Sequence, residues 1–162
     1  MRIEAGRLLL FLATAAGAAC GAGSPESGSA DGGTETVQLG VDHRSEWRQL
    51  WIEGTTDLPD GASVNYQVVH ELAETAPADE WPAANLLESG RAGVRDGQYW
   101  TRINTFNWPP GKVRISVQFP LPPQPPDVES RYGPFGERLT GDNVTSLDGS
   151  KVVTAEHVFD HR

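Results

Sequence analysis

A single cysteine, Cys20, is the only thiol in the 162-residue chain. No intramolecular disulfide can form, so the folded part must rest on its core rather than on covalent staples. Thiolate metal centres and dithiol redox centres are excluded with it. Basic residues are also scarce, with 13 Lys and Arg against 22 Asp and Glu and a formal net charge of −9. Nucleic-acid affinity depends on cations that displace counterions from phosphate, so no nucleic-acid partner is expected. The longest apolar run, residues 8 to 19, holds about a dozen positions, short of the roughly 20 that a membrane-spanning helix requires. Long helices are disfavoured throughout by 18 Gly and 12 Pro, since Gly adds backbone entropy and Pro removes an amide donor.

What is present begins with a three-part leader. Residues 1–7 (MRIEAGR) are short and slightly basic, residues 8–19 are apolar or small apart from Thr14, and small residues precede Cys20. This is the order of a secretory signal, expected over residues 1–19. Gly17-Ala18-Ala19-Cys20 resembles a bacterial lipobox, in which the chain is cut before the cysteine and the new N-terminal Cys carries diacylglycerol. Ala18, Ala19 and Cys20 fit that pattern, while Gly17 stands where the family usually has Leu. Cleavage by ordinary signal peptidase near Ala18 or Ala19, and an uncleaved N-terminal helix, are the alternatives.

Residues 20–33 are expected to be the lipidated Cys and a flexible linker. From residue 21 the segment GAGSPESGSADGG has no large apolar residue and cannot bury enough surface to offset the entropy of ordering. If the cell has two membranes, the absence of Asp after Cys20 resembles lipoproteins sorted to the outer membrane.

From residue 34 to residue 162 the chain alternates short β-like runs with turn clusters. Strands are predicted at Val37–Val41, Trp47–Thr55 and Ala62–Leu72, the last two flanking the Pro59-Asp60-Gly61 turn as an antiparallel pair. A second hairpin is predicted from Leu87–Arg95 and Gln98–Phe106 around Asp96-Gly97. Lys112–Phe119 alternates most clearly, with Val113, Ile115, Val117 and Phe119 on one face. Residues 73–86 read as an irregular loop with room for a helical turn. Pro120–Pro126, with five prolines in seven residues, reads as a rigid crossover or, less simply, a ligand for a partner's aromatic groove. A helical turn at Asp127–Tyr132 and a last strand at Val152–Phe159 follow. About seven to eight strands without a long helix predict an all-β antiparallel sandwich, with a small barrel as the alternative.

The blocks GTTDLPDGASVNYQV, VRDGQYW and WPPGKVRISVQFP resemble the immunoglobulin-like β-sandwich domains of bacterial cell-surface lipoproteins over about residues 47–120. That resemblance implies a fold and no catalytic residue.

Chemistry-bearing motifs are few. The four histidines, His43, His70, His157 and His161, show no zincin spacing and no metal role is assigned to them. His70 falls on the Val64–Tyr66–Val68 face as an edge-of-core residue, and His157 and His161 are expected to be solvated. Asp57 with Asp60, and Asp142 with Asp148, lack the order of a calcium loop. Asn143-Val144-Thr145 matches a glycosylation sequon but reads as a polar loop. No phosphate loop, dinucleotide fingerprint or nucleophile elbow occurs, so no cofactor and no enzyme activity are expected.

Five tryptophans are many for this length. Trp47, Trp51 and Trp100 lie in predicted strands and are expected to fill a disulfide-free core. Trp81 and Trp108 lie in Pro-bearing loops, where binding residues concentrate, and are the candidate partner-binding residues.

The expected whole is a non-catalytic binding or structural module of the bacterial cell envelope, held to the membrane through lipid on Cys20 and meeting an envelope protein or glycan. The alternatives are a carbohydrate or small-molecule receptor using exposed Trp, and an envelope hydrolase whose carboxylates are assembled by the fold. Cys20→Ala is expected to move the protein from the membrane fraction to the soluble fraction and to remove acyl mass from the intact protein. Equal membrane retention of variant and parent contradicts the anchor.

Overall fold

Residues 33–162 are described by a computed structural model. The leader expected at 1–19, and Cys20 with the linker expected after it as far as residue 32, lie outside the described residues. The expected first strand at Val37–Val41 does not form. Glu35 and Leu39 make isolated bridges to Leu139 and Thr56, and the Gln38 amide donates to Asp57 Oδ1 at 2.8 Å, so a side chain takes the place of a ladder partner. The first strand is instead β1 (Asp42–Glu46), a polar, mostly exposed edge strand held by its ladder to β2 (Gln49–Thr55).

The chain continues as β3 (Ser63–His70), α1 (Glu71–Thr75) and a 3-10 turn at Ala78–Glu80 within the expected irregular stretch. It then forms β4 (Leu87–Gly93), β5 (Gln98–Asn104), β6 (Gly111–Phe119), α2 (Pro126–Tyr132), β7 (Val144–Leu147) and β8 (Ser150–His161). All strand ladders are antiparallel. They build a three-stranded sheet, β1-β2-β5, and a five-stranded sheet, β4-β3-β6-β8-β7. The all-β sandwich expected from turn spacing is therefore the fold.

The first predicted hairpin does not pair its own strands, and the second does so only at the Arg95–Gln98 bridge that closes the Asp96-Gly97 turn. The Pro59-Asp60-Gly61 turn carries the chain from β2 in one sheet to β3 in the other, and Asp96-Gly97 carries it back from β4 to β5. The two crossings are strapped together: Asp60 Oδ1 accepts from the Asp96 amide at 2.8 Å, Gly61 N–H donates to Val94 O at 2.9 Å, and Thr56 N–H donates to Gly97 O at 2.9 Å. With β2 pairing β5 and β3 pairing β6, the connectivity is the Greek key of immunoglobulin-like sandwiches. A turn motif reports that the chain reverses; which sheet receives it depends on where the next apolar face can be buried.

The core lies between the sheets. Val113, Ile115, Val117 and Phe119 of β6 are fully buried, as their alternation predicted, and join Leu50, Ile52, Tyr99 and Ile103 of the smaller sheet in one cluster. The Tyr99 hydroxyl donates to Gly40 O at 2.6 Å, and burial pushes its pKa above the usual tyrosine value. The proline run is a crossover outside the ladders. The Gln124 side chain bonds both the amide and the carbonyl of Ser63, at 2.9 and 2.8 Å, and Arg91 donates to the carbonyls of Leu121, Pro122 and Pro123. Pro126 then opens α2, which buries Val128 and Tyr132.

Tyr99 lies over Gly54, its partner in the β2–β5 register. A Cβ at Gly54 would sit 2.1 Å from the tyrosine ring and 2.2 Å from the backbone oxygen of Gly40, whereas one at Gly93 meets nothing within 4 Å. Gly54→Ala is expected to cost about 1–3 kcal/mol, while Gly93→Ala stabilises by about 0.4–1 kcal/mol. Urea denaturation of the two variants checks this, and equal midpoints contradict the packing described.

Candidate functional site

Three segments meet at one end of the sandwich: the Trp47-Arg48 turn between β1 and β2, the Thr105–Pro110 connection between β5 and β6, and the last residues of β8. The connection is shaped by its own polar groups. Asn104 Oδ1 accepts from Phe106 N–H at 2.8 Å, Thr105 N–H donates to Arg48 O at 3.0 Å, and Trp108 N–H closes a turn on Thr105 O at 3.0 Å. Arg48 and Asn107 hold φ of 61° and 68°, a left-handed conformation that costs a bulky residue on the order of 1 kcal/mol or more. Arg48 bears that strain, which Asn107 tolerates, and both line one cleft of about 540 Å³ whose walls also include Trp47, Phe106, Trp108 and His161.

The tryptophans are distributed opposite to expectation. Trp108, one of the two loop candidates, is 7% exposed; its Nε1 donates to Asn85 Oδ1 at 3.0 Å, so it contributes an edge to the cleft and a body to the core. Trp81, the other, is half-buried against the core with Nε1 donating to Ala76 O at 2.9 Å. The exposed rings belong to Trp47 and Trp100, at 79% and 64% exposure, which corrects the reading of both as core residues. Trp47 lies at the turn tip rather than in a strand. Trp100 has even parity on β5, whose odd positions Tyr99 and Ile103 take the core.

Guanidinium groups accompany these rings. Arg48 lies 3.9 Å from the Trp47 ring centroid and 4.5 Å from that of Phe106, a cation between two aromatic faces. Trp51, the third ring expected in the core, also lies on the outer face of the small sheet, alternating with buried Leu50 and Ile52, with Arg44 at 4.8 Å, Arg102 at 5.7 Å and Trp100 at 5.5 Å. In the cleft, Thr105 Oγ1 and His161 Nδ1 are buried without a hydrogen-bond partner, and Thr105 is only 4% exposed. Buried polar atoms are normally paired, so these two mark unsatisfied polarity behind the cleft wall, without surface of their own in the cleft.

All four histidines gather along this side of the fold. His70 is fully buried, as an inward position on β3 implied. Its Nδ1 accepts from Leu72 N–H at 3.1 Å, capping α1, which leaves Nε2 to donate to Pro109 O at 3.1 Å. Trp108 stands edge-on between His70 and His161, with centroids 5.8 and 5.7 Å away. His157, Phe159 and His161 share one face of β8, and His43 of β1 stacks on Phe159 at 3.6 Å while its Nδ1 lies 2.8 Å from His157 Nε2. His157 and His161 are thus partly enclosed rather than solvated. The i, i+2, i+4 spacing in HVFDH was a usable signal, but the predicted strand stopped at Phe159, and without β1 nothing placed His43 opposite His157. The cleft residues Thr105 and Arg48 had no sequence signal.

Burial, then repulsion from His157, lowers the His43 pKa despite the opposing pull of Asp42. Burial, with a smaller contribution from His70, lowers that of His161. No family model, curated protein or solved structure matches the chain. Its function is therefore argued from this geometry.

Because folding lowers the His161 pKa, the unfolded chain binds more protons as pH falls below the ordinary value of 6.5. Stability should decline from about pH 6.5 downward and level off for this group once the folded-state pKa is passed. His161→Asn is expected to flatten the fall in urea midpoint between pH 7 and 5.5. An unchanged slope contradicts this origin.

Proposed function

We propose that the protein is a non-catalytic binding module of the bacterial cell envelope, anchored through lipid on Cys20, which seats a glycan in the cleft beneath Trp47. The observation that carries this reading is the cleft itself: a 79%-exposed tryptophan at its rim, Phe106 and Trp108 in its walls, and the Arg48 guanidinium beside them. Sugars present apolar C–H faces and a girdle of hydroxyls. An aromatic ring takes the first, and the exposed Arg48 guanidinium and Asn107 amide of the cleft wall can bond the second.

The carboxylates of the cleft support binding over hydrolysis. Glu46 is ion-paired with Arg44, and Asp160 with Lys112 at 3.1 Å. Glycoside hydrolysis needs two carboxyl groups flanking one bond, one of them positioned as a proton donor. These two are committed to surface cations on their own strand or the neighbouring one. The acidic composition and the linker expected behind Cys20 suit a domain that samples the space near a membrane rather than binding its anionic surface.

Titration with soluble envelope oligosaccharides is expected to change tryptophan fluorescence saturably. Trp47→Ala should weaken binding about tenfold or more, as truncation of an anchoring aromatic does, with Trp100→Ala near the parent value. Absence of saturable binding, or equal affinity for Trp47→Ala and parent, overturns the proposal.

A further inference from the structure

Asp42 Oδ1, His43 Nδ1 and His157 Nε2 converge on one point between the two sheets. The imidazole nitrogens are 2.8 Å apart, and the carboxylate oxygen lies 3.8 Å from the first and 3.7 Å from the second. A circle through three atoms so spaced has a radius of about 2.0 Å, close to the Zn–N and Zn–O bond lengths of 2.0–2.2 Å. We propose that Asp42, His43 and His157 form a binding site for a divalent first-row transition ion of the zinc type, independent of what fills the neighbouring cleft.

The donor set selects the ion. Two imidazoles and one carboxylate suit Zn²⁺, Cu²⁺ or Ni²⁺, whereas Mg²⁺ and Ca²⁺ prefer oxygen alone. The surroundings orient the ligands. Phe159 stacks on His43 with planes 16° apart, and His157 is fixed by the β6–β8 ladder opposite Ile115. Each neutral imidazole carries one proton. In the metal-free hydrogen bond one of the facing nitrogens holds it; as ligands both turn a lone pair to the ion and keep the proton on the far nitrogen, Nε2 of His43 and Nδ1 of His157.

Asp42 is 79% exposed at its side chain, against 23% for His43 and 29% for His157, so the ion is reached from the carboxylate side. Three protein ligands leave a fourth tetrahedral position open to water or to a ligand atom, the arrangement of an accessible rather than a closed structural site. Because β1 belongs to the small sheet and β8 to the large one, the ion ties together two sheets that share no backbone ladder at this edge.

The test is calorimetric titration of the metal-free protein with Zn²⁺, paired with thermal unfolding and with Cu²⁺ electron paramagnetic resonance. One equivalent of Zn²⁺ is expected to bind and raise Tm, and Cu²⁺ should show hyperfine coupling to two imidazole nitrogens. His157→Gln and His43→Gln should each weaken Zn²⁺ at least tenfold and remove one nitrogen coupling, and Asp42→Asn should weaken it less. Glu156→Gln, on the opposite face of β8, should match the parent and exclude a general acidic-surface effect. No binding tighter than millimolar by the parent, or equal affinity in a folded His157→Gln variant, overturns the site.

Discussion

Two sheets each turn one apolar face inward, and with no disulfide available that contact is the main interaction holding them together. The inward side chains of β6, from Val113 to Phe119, and those of β2 and β5, from Leu50 to Ile103, exclude water completely. Apolar burial contributes roughly 25 cal/mol per Å² and has no direction, so such a core sets which faces meet without dictating how the ends are finished. The ends are finished by hydrogen bonds. At one end Asp60, Gly61, Val94 and Gly97 strap the two crossings side by side; at the other Asn85, Asn104, Trp108 and His70 tie the β5–β6 connection to the core.

The core takes Phe119, Tyr99, Tyr132, most of Trp108 and His70 among its aliphatic residues, and leaves the other tryptophans and histidines toward the margins. Trp47 and Trp100 reach solvent, Trp51 lies under arginines, and His43 and His157 line the seam where β1 passes β8. The zinc-type site and the glycan cleft proposed for this margin are neighbours, since His43 contributes to the wall of the cleft as well as to the histidine pair. The left-handed backbone at Arg48 and Asn107 is concentrated in the same place. Strain of that kind persists only where surrounding structure over-determines it, here through the Thr105 N–H to Arg48 O bond that locks turn and connection together.

Much of the fold was legible because its signals are local. The alternation of Lys112–Phe119 arises from the two-residue period of a strand, and every inward position it named is buried. The proline run reads as a crossover from its missing amide donors alone, and Pro126 opens the predicted helical turn. The strand pairings of the hairpins were misread, apart from the Arg95–Gln98 bridge, because turn chemistry encodes reversal of the chain and is silent about its partner. The site was less legible still. His43 and His157 are 114 residues apart, and their pairing rests on β1, a strand of five polar residues with no apolar pattern to reveal it.

Sequence by itself determined the class of fold, the inward face of the central strand, the absence of covalent staples and an expected address at Cys20, since each follows from residue type and short-range spacing. Tertiary structure decided which sheet each strand joins, which tryptophans are exposed and which histidines meet. Those outcomes turn on contacts between residues far apart in the chain, where competition for one shared core, rather than the preference of any single residue, sets the result.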